Sequence, residues 1–168
     1  MMSKHSSTVE ERFEQRIKPL LDRAAAYAYA IVHHREDAED VLQEAAIKGF
    51  LAFDSYDPSR PFKGWWFVII RNCCRDLLRG KRTRGSSIAI EQSDLAISRK
   101  PHVDQQDEMR FALGKLSDTH REILELRYFG DCSYQEISAV LSIPEGTVMS
   151  RLYAARKALA AIYKRRGE

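Results

Sequence analysis

Apolar residues recur along this chain at three- and four-residue spacing and never hold a sustained alternation with polar ones, so the pattern predicts helices and no sheet. The first predicted helix runs from about Val9 to Val32 with an interruption or restart at Pro19, because proline lacks the backbone donor that a helix interior needs. Its Ala24 to Ala30 stretch is small enough for close helix packing. A second helix covers Glu36 to Phe53 and opens with acidic residues that complement the positive end of the helix dipole. The turn-rich string DSYDPSRP, Asp54 to Pro61, leads to a third helix from about Phe62 to Arg79 or slightly beyond. Gly85 to Gln106 is rich in Ser, Gln and Asp, contains Pro101 and has no periodicity, which predicts a flexible linker. Beyond it come helices near Asp107 to Leu116 and from Asp118 to Phe129, the latter stopped by Gly130. The expected fold class is all-α, with two small helical domains at 9–84 and 107–166 joined by the linker at 85–106.

The last predicted element is a helix pair. Ser133 and Glu136 have capping-box spacing, and Ile137, Val140 and Leu141 mark the apolar face of a short helix. Ser142, Ile143 and Pro144 break it, since proline disfavours helical geometry in the residue before it yet fits the first turn of a new helix. In the second helix Val148, Leu152, Ala155 and Leu159 form an apolar stripe, and Ser150, Arg151, Tyr153, Arg156 and Lys157 occupy much of the remaining surface. A helix-turn-helix of this kind can pack along one side and offer donors to DNA along the other. The same pattern also fits basic helix pairs that never touch nucleic acid, and only the rest of the chain separates the two.

Composition narrows the choice. The 168 residues carry a net charge of +3, and their distribution says more than the sum. Glu36, Asp37, Glu39, Asp40 and Glu44 gather early, followed by a basic run of Arg71, Arg75, Arg79, Lys81, Arg82 and Arg84. A second basic group, Arg151, Arg156, Lys157, Lys164, Arg165 and Arg166, gives the chain two separated segments able to neutralise phosphates. No apolar run approaches the roughly 20 residues that span a bilayer, and the N-terminus lacks a signal-peptide stretch, so a cytoplasmic protein without membrane insertion is expected. The three cysteines, two adjacent at Cys73 and Cys74, have no metal-ligand spacing and are expected as reduced, partly buried thiols; no cofactor is called for. No paired catalytic acids, nucleophile–base set or phosphate-cradling glycine loop argues for an enzyme.

Two features of the first domain carry chemistry. Asp40, Gln43 and Glu44 at i, i+3 and i+4 present two carboxylates and an amide on one helix face, which could dock a basic partner or simply be solvated. Phe62, Lys63, Trp65, Trp66, Arg71, Asn72, Arg75, Asp76 and Arg79 set aromatic rings beside donors on one helix and its entry. Aromatic faces stack unpaired bases, and Arg and Asn reach phosphates and base edges. Adjacent tryptophans cannot face the same way on a helix, so at least one belongs to the core.

With REDAEDVLQEAAIKGFLAFDSYDPSRPFKGWW and VIIRNCCRDLLRGKR in the first half and LSDTHREILELRYFGDCSYQEISAVLSIPEGTVMSRLYAARKAL in the second, the chain resembles an extracytoplasmic-function (ECF) sigma factor of bacterial RNA polymerase, of the sigma-70 superfamily. The resemblance implies that Asp40, Gln43 and Glu44 dock on the clamp helices of the largest subunit of core RNA polymerase. It implies minus-10 promoter contacts at Lys63, Trp65, Arg71, Asn72, Arg75 and Arg79, and a second domain that also rests on the polymerase flap. The minus-35 helix would carry Glu145, Thr147, Met149, Ser150, Arg151, Tyr153, Arg156 and Lys157 into the major groove. Beyond Ala161 only IYKRRGE follows, so control is expected from a separate partner, an anti-sigma factor.

Departures from the family pattern bear on specificity. Met149 stands where Arg or Lys is usual and cannot make a bidentate guanine contact, and Ala154 replaces a frequent Arg. Ser142 takes the place of a frequent turn glycine, while Trp66 and Ile70 replace smaller residues beside the family tryptophan. Two other readings share these features. A stand-alone helix-turn-helix repressor would bind duplex promoter without polymerase. A sigma-like mimic that titrates an anti-sigma factor should have lost its DNA-facing basic residues, whereas Arg71, Arg75 and Arg79 remain.

Overall fold

The structure, a computed structural model, describes residues 8–83, 109 and 111–166. Every regular element among them is helical. Helix α1 spans Val9–Ile17 and starts at a capping box between Thr8 and Glu11. A 3-10 turn, Lys18–Leu20, absorbs Pro19 and splits the long first helix, so α2 begins anew at Leu21–Val32. It ends where His33 adopts a left-handed conformation with φ 57°. Helix α3, Arg35–Ala52, closes in a 3-10 turn at Phe53–Ser55, and α4 covers Phe62–Thr83. Three further helices follow, α5 at Asp118–Tyr128, α6 at Tyr134–Leu141 and α7 at Glu145–Arg166. The helix expected near Asp107 to Leu116 is described only in part, with 109 and 111–114 helical, and the linker read at 85–106 lies outside the described residues.

In the first half, α2, α3 and α4 pack around Tyr27, Ala28, Val41, Ala45, Trp66, Phe67 and Ile70, all essentially without exposure. Trp66 is the larger part of that core. It meets Phe13 edge-on at 5.8 Å between ring centroids, and it lies so close to α3 that a Cβ on Gly49 would stand 2.6 Å from its ring. Trp65 points elsewhere, into a half-buried cluster with Tyr56 at 5.2 Å and Phe62 at 5.4 Å. The adjacent tryptophans therefore divide between core and surface cluster, as the helical period requires.

The second half builds its core from Ile123, Leu124 and Leu126 on α5, Ile137 and Val140 on α6, and Val148, Leu152 and Ala155 on α7. Ser133 and Glu136 form the capping box that opens α6. The turn after α6 is held by Ser142 at φ 53°, by the Ile143 amide donating to the Ser138 carbonyl at 3.2 Å, and by the Ser138 hydroxyl donating to the Ile143 carbonyl at 2.6 Å. A left-handed residue is therefore required where this chain carries serine and not glycine. At the end of α5 the left-handed residue is Asp131, φ 50°, and not Gly130.

The two halves also pack on each other, α4 against α6 and α2 against α5. Glycines mark the contact. A Cβ on Gly64 would sit 3.2 Å from the Ala139 Cβ, and one on Gly130 would sit 2.8 Å from the Phe67 ring. Gly130, read as a helix stop, is needed instead for close approach, leaving room for an aromatic ring from the other half.

Candidate functional site

Three surfaces carry the residues singled out by the sequence. On α3, the periodicity that buries Ala38, Val41 and Ala45 leaves Asp40, Gln43 and Glu44 exposed together. Lys48 answers part of this charge, with its Nζ 2.7 Å from Glu44 and 3.8 Å from Asp76 on α4. The bond to Glu44 raises the lysine above its ordinary range. Further along the same stripe Ile47 and Leu51 are exposed apolar residues, so the acidic face runs on into an apolar one that the sequence reading had not included.

On α4, the six residues named for the minus-10 surface do not all face solvent. Asn72 and Arg79 are exposed, with Arg79 3.2 Å from Asp76, and Trp65 sits in its aromatic cluster. Lys63 and Arg71 are mostly buried, and together with Arg75, which stays 54% exposed, they bond to the second half. The Arg71 Nε donates to Glu122 at 2.6 Å and an Arg75 nitrogen reaches the same oxygen at 3.2 Å. Lys63 donates to the Asp131 carbonyl at 2.6 Å and lies 3.8 Å from Glu136. Glu122, Asp131 and Glu136 escaped the sequence reading because these contacts join residues 47 to 73 positions apart, a range where periodicity gives no signal.

On α7, Val148, Leu152 and Ala155 are buried, which turns Glu145, Met149 and Tyr153 outward on the opposite face. Met149 is 58% exposed and Tyr153 71%. Ser150, Arg156 and Lys157 are exposed beside them, while Thr147 and Arg151 are half-buried. The Ser150 hydroxyl donates to the Thr147 carbonyl at 3.1 Å. Arg156 is held from within the domain: its Nε donates to the Tyr128 hydroxyl at 3.1 Å and its guanidinium lies over that ring. This pins the cation in place and raises its pKa further.

The cysteines are unpaired and buried. Burial pushes Cys74 and Cys132 up to about 12 and raises Cys73 as well, so none is poised as a thiolate. Among the described residues no cluster of His, Cys, Asp or Glu could hold a metal ion, and no helix is long and apolar enough to cross a membrane.

An all-α chain with an acidic helix face, an aromatic–basic helix and an outward-facing helix-turn-helix defines a DNA-binding protein that also docks on a partner. Residues 17–84 match the profile of Sigma-70 region 2, and residues 106–159 match that of Sigma-70, region 4. The ECF RNA polymerase sigma factor SigL of Mycobacterium tuberculosis is 31% identical over 157 residues, covering 85% of this chain and 86% of SigL. The RNA polymerase sigma factor CnrH of Cupriavidus metallidurans is 33% identical over 139 residues, covering 75% and 73%. Among solved structures, CnrH in complex with the cytosolic domain of CnrY superposes with a TM-score of 0.72 at 27% identity over 93% of this chain and 90% of that one. The sigma factor RpoE in complex with the anti-sigma factor NepR, from Bartonella quintana, gives 0.70 at 28% over 91% and 97%. The chain belongs to the ECF RNA polymerase sigma factors, alternative sigma factors that direct promoter recognition.

Proposed function

We propose that α3 supplies the polymerase-docking face, α4 the minus-10 contacts and α7 the minus-35 reader. The docking face is Asp40, Gln43 and Glu44, set against the clamp helices, with Ile47 and Leu51 extending it. The observation that carries this division is their common exposure on one side of α3 while the opposite side is sealed in the core. Lys63, Trp65, Arg71, Asn72, Arg75 and Arg79 take the melted minus-10 strand, and Glu145, Thr147, Met149, Ser150, Arg151, Tyr153, Arg156 and Lys157 line the major-groove side of α7. The domains are 9–84 and 107–166, with 85–106 between them and the second domain also resting on the flap. The protein works in the cytoplasm, has no catalytic role of its own and is held in check by an anti-sigma factor. The likeness to RpoE, solved with an anti-sigma factor, supports that last partner.

Run-off transcription with core polymerase tests the docking face. Asp40→Ala/Gln43→Ala should lower promoter-directed transcripts roughly 30-fold, the effect of about 2 kcal/mol at an interface hot spot. Unchanged transcript levels would remove α3 from the interface. Specificity should move separately. Met149→Arg restores a fork of donors on the exposed face of α7, and a bidentate guanine contact discriminates by about 1–3 kcal/mol. Randomised minus-35 selection should then show a new guanine preference at one position with core affinity unchanged; a uniform loss on every promoter would mean that Met149 supports the fold instead.

A further inference from the structure

We propose that Tyr128 is a positioning residue for promoter binding: it holds Arg156 in the orientation in which the guanidinium clamps a DNA phosphate beside the minus-35 element. The inference rests on assigning Arg156 to the minus-35 surface and names the residue through which that contact works.

Arg156 continues the outward stripe of Met149 and Tyr153 at helical spacing. It lies about 16 Å along the axis from Glu145, where α7 starts. Base edges are read mainly by the first turns of a recognition helix, so a cation this far along is placed for the phosphate backbone. The Arg156 Nε donates to the Tyr128 hydroxyl at 3.1 Å, and the guanidinium lies over the same ring at 5.9 Å. With the Nε–H taken, the group offers a ligand its terminal edge, whose two nitrogens match two oxygens of one phosphate. Tyr134 on α6 also lies within bonding reach of Arg156. That second phenol is fixed in turn by Arg127, whose guanidinium sits over the Tyr134 ring at 5.7 Å and donates to the Cys132 carbonyl at 2.8 Å. The brace on Arg156 therefore comes from two other helices of the same domain.

Such a pair does little for folding. Tyr128 is 53% exposed and Arg156 is exposed as well, and a hydrogen bond with a cation–π contact at the surface adds modestly to stability. What the pair removes is the rotational freedom of a long side chain, which a phosphate would otherwise have to order on binding. The gain matters more here than on a fully basic reading helix, because Met149 and Ala154 bring no cation and Arg151 is half-buried.

A mutant cycle in the reconstituted holoenzyme tests the pair, with a duplex carrying the minus-35 sequence that selection with the wild-type holoenzyme recovers. Arg156→Ala should weaken binding roughly tenfold on every sequence and flatten the slope of log affinity against log salt by about 0.9, the loss of one phosphate contact. Tyr128→Phe keeps the ring and loses the hydroxyl; it should weaken binding roughly fivefold with base preference unchanged. Tyr128→Ala should approach the loss of Arg156→Ala. Adding Tyr128→Phe to Arg156→Ala should cost nothing further, because the tyrosine acts only through the arginine. A scan of neutral methylphosphonate linkages locates the contact: one position should weaken the wild type, leave Arg156→Ala indifferent and affect Tyr128→Phe less than the wild type. The thermal midpoint of Tyr128→Phe should stay within about 2 °C of the wild type, as for a surface substitution. Equal losses from Tyr128→Phe in both backgrounds, a changed base preference, or full affinity in Tyr128→Phe beside a weakened Arg156→Ala each overturn the positioning role alone. Full affinity in Arg156→Ala instead removes Arg156 from the minus-35 surface and takes the proposal with it, so the two failures are distinguishable.

Discussion

Trp66→Ala is expected to remove about 3–5 kcal/mol of stability, a large share of the 5–15 kcal/mol that holds a typical domain together. The side chain is fully buried, packs edge-on against Phe13 and fills the space that Gly49 leaves on α3. Its removal opens a cavity between α3 and α4 that backbone packed on three sides cannot close. Trp65→Ala should cost roughly half as much, because its ring is half-buried and shared among Phe53, Tyr56 and Phe62. Urea unfolding followed by circular dichroism measures both, and the thermal midpoint should fall by about 6–20 °C for Trp66→Ala. A larger loss at Trp65 would reverse the assignment of core and surface. Gly49→Ala adds a second check on the same space: helix propensity favours alanine by about 1 kcal/mol, yet the built Cβ is 2.6 Å from the indole, so net destabilisation is expected.

The helices and the helix-turn-helix were legible because their signals are local. Pro19 marked the split between α1 and α2, Ser133 and Glu136 the start of α6, and Ser142 with Pro144 the break after it. The outward face of α7 could be read for the same reason, since burial of Val148, Leu152 and Ala155 dictates where Met149 and Tyr153 point. The packing of one half on the other was not legible. An apolar stripe on α4 is the same string whether it covers only its own domain or also sets Phe67 against the other, and Glu122 has no sequence mark that ties it to Arg71. Gly64 and Gly130 were the available trace. Each is needed for close approach of another element and not for a positive φ, and a single sequence does not distinguish those two uses.

Glu125→Gln is expected to stabilise the protein by about 3 kcal/mol at pH 8 and by very little at pH 4. Glu125 on α5 is 5% exposed and faces the first half, and burial raises its carboxyl from 4.5 to about 7. Arg121, 3.9 Å away on the same helix, opposes the rise; Glu122 and Asp118 add to it. From α2 the buried Tyr27 hydroxyl faces the same space and is itself pushed well above its usual range, first by burial and then by Glu125. Cys74 on α4 brings no cation. The native state therefore binds the Glu125 proton more tightly than the unfolded chain does. Stability from this group is full below pH 4.5, declines as pH rises through 7, and stays lost above it. Glutamine keeps the shape and cannot ionise, so its unfolding free energy should diverge from wild type across that window; parallel profiles from pH 4 to pH 8 would show that the carboxylate reaches water.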